Sequence, residues 1–199
     1  MNRNKSILYE RTPVRTAGGS CQRCEMKTLK DYMISIPDYP VKGVLFRDVT
    51  GILNEADGLQ LAIDSLAEHL EGLDFDVIAG AESRGFIFGM PLAYKFHKPF
   101  ALIRKKGKLP RETVSTSYAL EYGSAEIEMH TDSVKPGQKV VLIDDLLATG
   151  GTMQAGIRLV EELGGTVVKV LCLIELIDLK GRELIRDYDV DTIIQYEGK

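Results

Sequence analysis

The chain has 199 residues, of which 44% are apolar and 27% charged, and its net charge is −4. That balance suits one globular α/β domain with a substantial core, and it excludes the basic footprint of a general nucleic-acid binder. No apolar run approaches the ~18 residues that a membrane-spanning helix needs, so a cytoplasmic protein without membrane contact is expected.

Residues 1–25 differ from the rest. Arg3, Lys5, Arg11, Arg15 and Arg23 stand against one acid, Glu10, and no apolar segment of a secretory signal is present. We expect a disordered or expression-derived extension there, with Met26 as an alternative start and the functional domain over 26–199. The chain has three cysteines. Cys21 and Cys24 form a lone C-x-x-C with no second ligand pair for zinc, and it lacks the βαβ context of a redox motif.

Val44–Asp48, after Pro37-Asp38-Tyr39-Pro40, predicts a short strand. Leu59, Ala62, Ile63, Leu66, Ala67 and Leu70 recur at helical spacing, and Gly72 ends that helix. Asp76–Gly80 predicts a buried strand, and Phe86, Met90 and Ala93 mark the helix after it. Between them, Ala81-Glu82-Ser83-Arg84-Gly85 forms a strand-to-helix turn. One reading makes Ser83 a nucleophile on an elbow like G-x-S-x-G. That reading needs a late histidine in a loop, and neither His97 nor His130 occupies one.

Pro99–Arg104 predicts the next strand. The basic run Arg104-Lys105-Lys106-Gly107-Lys108-Leu109-Pro110-Arg111 follows at its carboxyl end, where solvated charge is the ordinary explanation and anion neutralisation the functional one. Thr113–Leu120 and Ala125–His130 flank Glu121-Tyr122-Gly123 and predict a β-ribbon or flap. Val140–Ile143 reads as a buried strand that ends in Asp144-Asp145. The loop Leu146–Gly151 then opens a helix marked by Met153, Ile157, Val160 and Leu163. Thr166–Ile174, with Cys172 as a core thiol, and Thr192–Tyr196 complete the strands. Alternating strands and helices predict a doubly wound, mostly parallel sheet flanked by helices.

Paired glycines at a helix N-terminus let backbone amides approach a phosphate, and the helix dipole favours its charge. Two carboxylates at the edge of a sheet suit sugar hydroxyls or a hydrated Mg²⁺. The loop has no Gly-Lys-Ser/Thr, so it is not a Walker A loop, and no G-x-G-x-x-G follows a strand. An ordinary β–α turn would account for the glycines, but it would leave the buried carboxylates as an unexplained cost.

Leu-Ile-Asp-Asp-Leu-Leu-Ala-Thr-Gly-Gly-Thr resembles the signature of type I phosphoribosyltransferases, which bind phosphoribosyl pyrophosphate (PRPP). Pro-Asp-Tyr-Pro, Gly-Val-Leu-Phe-Arg-Asp, Glu-Ser-Arg-Gly-Phe, Ile-Arg-Lys-Lys-Gly-Lys-Leu-Pro and Tyr-Ala-Leu-Glu-Tyr-Gly precede it in the order seen in the adenine-specific branch of that family. The resemblance covers Met26 to Glu197. It implies the type I fold with a small N-terminal hood and a flexible β flap, a homodimer, and a need for Mg²⁺. The implied reaction converts adenine and PRPP into AMP and pyrophosphate.

The resemblance also implies residue roles. Ala148, Thr149, Gly150, Gly151 and Thr152 would hold the 5′-phosphate, and Asp144 and Asp145 the ribose, with metal held indirectly through PRPP and water or by these two acids. Glu82, Ser83, Arg84, Arg104, Lys105 and Lys108 would hold pyrophosphate, with a non-trans peptide expected at Glu82–Ser83. Phe46 would stack on adenine, main-chain groups of Leu45 and Arg47 would read its edge, and Leu176 would close its other face. Glu121, Tyr122 and Arg84 are the catalytic candidates. Enzymes for 6-oxopurines carry an Asp where this chain has Ala148, which leaves proton chemistry to Glu121. A xanthine-specific relative and a non-catalytic PRPP sensor are the competing readings within the resemblance.

Overall fold

A computed structural model describes residues 27–119 and 124–197. The N-terminal extension expected over residues 1–25, together with Glu121, Tyr122 and Gly123, lies outside the described residues. The chain divides into two compact units at Ser65/Leu66.

In the first unit, helix α1 (Leu29–Tyr32) starts at a capping box, where the Thr28 amide donates to Asp31 Oδ2 at 2.7 Å. Strands β1 (Ile34–Pro37) and β2 (Leu45–Asp48) pair antiparallel, with Ile36 opposite Phe46. Their connection contains a cis Tyr39–Pro40 bond, and Asp38 Oδ1 accepts from the Gly43 amide at 2.7 Å. Asp48 Oδ1 accepts from Thr50 N at 2.9 Å and so fixes the start of α2 (Thr50–Leu53). Helix α3 (Ala56–Glu68), the amphipathic helix expected from the sequence, crosses the division between the units.

The second unit contains β3 (Val77–Ala81), α4 (Arg84–Lys95), β4 (Phe100–Lys105), β5 (Thr113–Ala119) and β6 (Ser124–His130), followed by β7 (Lys139–Leu147), α5 (Gly151–Glu162) and β8 (Thr166–Leu176). A 3-10 turn (Ile177–Leu179), α6 (Gly181–Leu184) and β9 (Val190–Tyr196) close it. The strands form one seven-stranded sheet in the order β5-β6-β4-β3-β7-β8-β9. The strands from β4 to β9 are parallel, and the β5–β6 ribbon joins antiparallel through Arg104 opposite Glu128 and Lys105 opposite Ile127. The ribbon is thus an edge of the main sheet.

Alternation distributes β3 between two layers. Val77, Ala79 and Ala81 pack with Met153, Ile157 and Val160 of α5 in the main core cluster. Gly80 instead lies against Phe100 and the Gly85 carbonyl at the start of α4, where an added Cβ would come within 2.5 Å of the Phe100 ring. Helices on both faces of a mostly parallel sheet give the expected doubly wound architecture.

One local expectation changes. Strand β7 continues through Asp144 and Asp145 to Leu147, because Leu146 and Leu147 still pair with Ile174 and Glu175 of β8. Helix α4 buries Gly85, Phe88, Gly89, Leu92 and Ala93, and leaves Met90 52% exposed. No described helix is long and apolar enough to cross a membrane.

Candidate functional site

The carboxyl ends of β3, β4 and β7 meet at one cavity of about 250 Å³. Ala81, Glu82, Arg84, Lys105, Asp144, Asp145, Ala148 and Thr152 line it, together with Ile103, Ile127, Leu146 and Tyr118. Parallel α/β sheets leave their ligand crevice at this edge, because the chain there turns from strand into helix on both faces.

One wall is acidic. Asp145 is 3% exposed, and its Oδ2 lies 2.9 Å from Arg84 Nε. The Asp145 amide donates to Asp144 Oδ1 at 2.9 Å. Burial and the neighbouring Asp145 charge push the Asp144 carboxyl well above its ordinary value. Burial also raises Asp145, and the Arg84 guanidinium opposes that rise. The sequence-based expectation directed Arg84 at pyrophosphate, whereas the structure pairs it with Asp145. Its side chain stays 41% exposed, so the guanidinium still presents charge to the cavity.

Next to this wall, Gly150 (φ +83°) turns the chain into α5, and Leu146 to Met153 enclose a hollow of about 60 Å³. Free amides at a helix N-terminus converge on such a hollow, and the helix dipole favours an anion there. A Cβ on Gly150 would lie 2.4 Å from the Gly181 carbonyl oxygen, and one on Gly181 only 2.2 Å from that of Ala148. The two backbones therefore touch directly, and the segment after β8 supports the loop from behind. Arg182 anchors that segment by donating from Nε (3.0 Å) and Nη2 (2.7 Å) to the buried Glu175 carboxylate.

The opposite wall is basic. The Glu82–Ser83 peptide is cis, as expected. Glu82 accepts from Arg104 Nε at 3.2 Å and from the Lys105 amide at 2.9 Å. Burial works against its charge, yet the Lys105 amide and the Arg104 guanidinium hold its carboxyl below the ordinary value. Arg104 also donates through Nη1 to the Lys108 carbonyl at 3.2 Å. Lys105 reaches the cavity wall, whereas Arg104 is turned onto Glu82 and Lys108 faces solvent.

Tyr118, which opens the Tyr-Ala-Leu-Glu-Tyr-Gly motif but had no role assigned from sequence, lines the cavity and receives a hydrogen bond from the Thr152 hydroxyl at 3.2 Å. Its role depends on β5 folding back over α5, which no local pattern signals. Glu175 and Gly181 were likewise not marked, because their partners lie across the fold.

A family profile described as a phosphoribosyl transferase domain matches residues 49–199. The chain is 68% identical over 174 residues to the adenine phosphoribosyltransferase of Agathobacter rectalis, covering 87% of this chain and all of that protein. The crystal structure of the Thermoanaerobacter pseudethanolicus enzyme of the same name superposes with a TM-score of 0.82 at 48% identity, covering 84% and 98% of the two chains. The Saccharomyces cerevisiae enzyme, crystallised with an imino-altritol bisphosphate and adenine, superposes with a TM-score of 0.80 at 37% identity, covering 83% and 96%.

The chain belongs to the phosphoribosyltransferase family. Its relatives at these identities are the family's adenine enzymes, as the ordered motifs imply.

Within this phosphoribosyltransferase, the base-site candidates Leu45, Phe46 and Arg47 lie on β2 of the first unit, each half-buried. Phe46 stands edge-to-face with Tyr39 at 5.2 Å between ring centroids. Leu176 is half-buried at the end of β8 and does not line the cavity. Thr149 and Ser83 are exposed on the two loops. The hydrolase reading fails on geometry. His97 follows the far end of α4, about 18 Å of helix from Ser83, and His130 Nδ1 faces the Glu112 carbonyl at 3.3 Å. No described cluster of three or more metal-ligating residues could cage a metal. The Asp144–Asp145 pair does offer the hard oxygens that suit a Mg²⁺ shared with substrate phosphates and water.

Proposed function

We propose that this chain is a cytoplasmic purine-salvage enzyme that transfers the 5-phosphoribosyl group from PRPP to adenine, releasing AMP and pyrophosphate. One observation carries the reading. A cavity with the acid pair on one wall and the basic turn on the other adjoins a separate hollow at the N-terminus of α5, a charge pattern suited to PRPP. Ala148 on the cavity wall supports adenine over 6-oxopurines, and the adenine-enzyme relatives support the same choice.

In this mechanism the bond from ribose C1 to the pyrophosphate oxygen breaks, and its electron pair leaves with pyrophosphate. The bond from C1 to N9 of adenine forms, and the base passes its N7 proton to the Glu121 carboxylate. The transition state resembles an oxocarbenium ion, so the protein mainly positions the partners and stabilises charge. Amides over Ala148–Thr152 and the Thr149 and Thr152 hydroxyls hold the 5′-phosphate. Asp144 and Asp145 hold the ribose hydroxyls and place negative charge beneath the developing cation. Arg84, Lys105, Arg104 and Lys108 receive the pyrophosphate, and Arg104 exchanges Glu82 for it. Asp144 and Asp145 would hold Mg²⁺ directly or through water, and the ion would supply charge neutralisation for the pyrophosphate. Phe46, the Leu45 and Arg47 main chain, and Leu176 hold the base. Glu121 hydrogen-bonds near N7, and Tyr122 shields the site from water.

The enzyme acts as a homodimer in this reading. Ile87, Met90 and Tyr94, respectively 40%, 52% and 89% exposed, share one face of α4 and support a second copy as its cover. The decisive experiment measures PRPP-dependent nucleotide formation from adenine, hypoxanthine, guanine, xanthine and orotate. Adenine should exceed the others by roughly 10⁴-fold in kcat/KM, because a wrong base leaves buried polar groups unpaired. Equal turnover of xanthine or hypoxanthine would overturn the assignment, and binding of PRPP with no turnover would favour a sensor.

A further inference from the structure

The basic turn between β4 and β5 has no apolar residue to anchor it over Lys105–Lys108, and its own charges repel one another. Its geometry must be set from outside. Glu128 of β6 lies directly across from Arg104 in the sheet and is 3% exposed. Its Oε1 accepts from the Lys108 and Leu109 amides, both at 2.9 Å, and its Oε2 accepts from the Thr113 hydroxyl at 3.4 Å. A charged acceptor shared by consecutive amides is stronger than a neutral one. Leaving that carboxylate buried without its donors would cost far more than the bonds themselves return. Burial opposes its charge, but the amides of Leu109, Gly107 and Lys108 hold the Glu128 carboxyl below its ordinary value, so it stays ionised.

The consequence runs outward from the turn. The Lys108 carbonyl, fixed by the same turn, accepts from Arg104 Nη1 at 3.2 Å, and the Lys108 amide also reaches the Lys105 carbonyl at 3.2 Å. One carboxylate beneath the turn therefore sets the backbone that carries Arg104, Lys105 and Lys108. Glu82 grips the same segment from the cavity side, but Glu128 is not part of the cavity wall.

We infer that Glu128 is the positioning residue of the pyrophosphate-side cations, acting through the backbone of the Lys105–Leu109 turn; this rests on the assignment of that turn to pyrophosphate. A residue with this role affects one half of the substrate only. It touches nothing at the helix N-terminus that holds the 5′-phosphate.

The test runs the reaction from AMP and pyrophosphate with full-length protein and measures the two KM values separately. Glu128→Asp keeps the charge but shortens the reach, so the KM for pyrophosphate should rise roughly tenfold, as for a misplaced charged hydrogen bond. The KM for AMP should stay within about twofold. Glu128→Gln keeps an oxygen at full reach and should restore pyrophosphate use to within about threefold. Unchanged pyrophosphate KM in the Asp variant, or an equal rise in both constants, would overturn the role. Lys108→Ala separates this outcome from failure of the site assignment. Weakened pyrophosphate use in Lys108→Ala with a silent Glu128→Asp counts against Glu128 alone, and a silent Lys108→Ala counts against the assignment. Should the Asp variant not fold, amide exchange of the wild-type protein decides. Leu109 N–H, held by Glu128, should exchange slowly, and exchange at the rate of an unprotected amide would refute the anchoring.

Discussion

Arg84 Nε sits 2.9 Å from Asp145 Oδ2, which joins the first residue of α4 to the buried end of β7 across the cavity floor. This contact pairs the guanidinium directly with Asp145, whereas its charge is the weakest of the influences on Asp144. Asp144 has no guanidinium of its own within the pair, and the strain of two adjacent carboxylates falls on it.

That asymmetry has a pH signature. The folded protein raises the Asp144 pKa well above the ordinary 3.8 through burial and the Asp145 charge. An acid with a raised folded pKa costs stability once ionised, so the cost is fully present above the folded value and disappears below the unfolded one. Asp144→Asn, which keeps the acceptor for the Asp145 amide, should stabilise the protein at about pH 8 by roughly 1 kcal/mol, or ~2–4 °C in Tm. The gain should vanish near about pH 4, while the KM for PRPP rises tenfold or more at neutral pH. Thermal melts at both pH values, with kinetics beside them, check this. A variant less stable than wild type at the higher pH would contradict it.

The contact between Gly150 and Gly181 predicts a selective lesion. A methyl group at Gly181 would lie 2.2 Å from the Ala148 carbonyl oxygen and 2.9 Å from the Gly150 amide. Gly181→Ala should cost ~1–3 kcal/mol of stability, the usual range for overpacking. AMP binding should weaken in calorimetry while pyrophosphate binding holds. Wild-type AMP affinity in a folded Gly181→Ala protein would remove the 5′-phosphate from this loop.

Glu121 carries the proton chemistry in the proposed reaction. General acid–base help is typically worth ~10²–10⁴-fold, so Glu121→Gln should lower kcat by that order. PRPP binding measured without adenine should not change. A kcat within a few-fold of wild type would transfer the proton to water or to a substrate phosphate.

The α4 stripe predicts assembly. Met90→Glu with Tyr94→Glu introduces two carboxylates where large apolar side chains would each contribute ~1.5–3 kcal/mol on burial. The dissociation constant should rise by more than about a hundredfold, and sedimentation equilibrium should report monomers. A wild-type protein that sediments as a monomer, or a double variant that stays dimeric, would move the interface elsewhere.

The apolar, mostly β-branched run Val140–Ile143 showed its strand at once, because a strand buried on both faces has no polar residue to disguise it. Its true end was hidden for the same reason. Asp144 and Asp145 look like a terminus until Arg84 and the hydrogen bonds to β8 are in place. Glu175 masks the end of β8 in the same way, since it is buried only because Arg182, Thr192 and Gln195 reach it. The turn into α5 was legible because its cue is local, with adjacent glycines, threonines and a helix start. The roles of Glu128, Tyr118 and Gly181 were not, because each depends on a partner that the sheet brings in from far along the chain. Met90 marked the helix but not its buried face, since α4 packs by its glycines, Phe88, Leu92 and Ala93.

Strand β3 lies between β4 and β7, with Val77 opposite Val140. During synthesis it meets β4 early, but roughly forty residues must still leave the ribosome before β7 is complete, about 2–8 s at ordinary elongation rates. Over that interval an almost wholly apolar edge has no partner and is open to a chaperone. Slowing translation between Lys105 and Lys139 should therefore lower soluble yield, whereas the same pause after Leu176 should not.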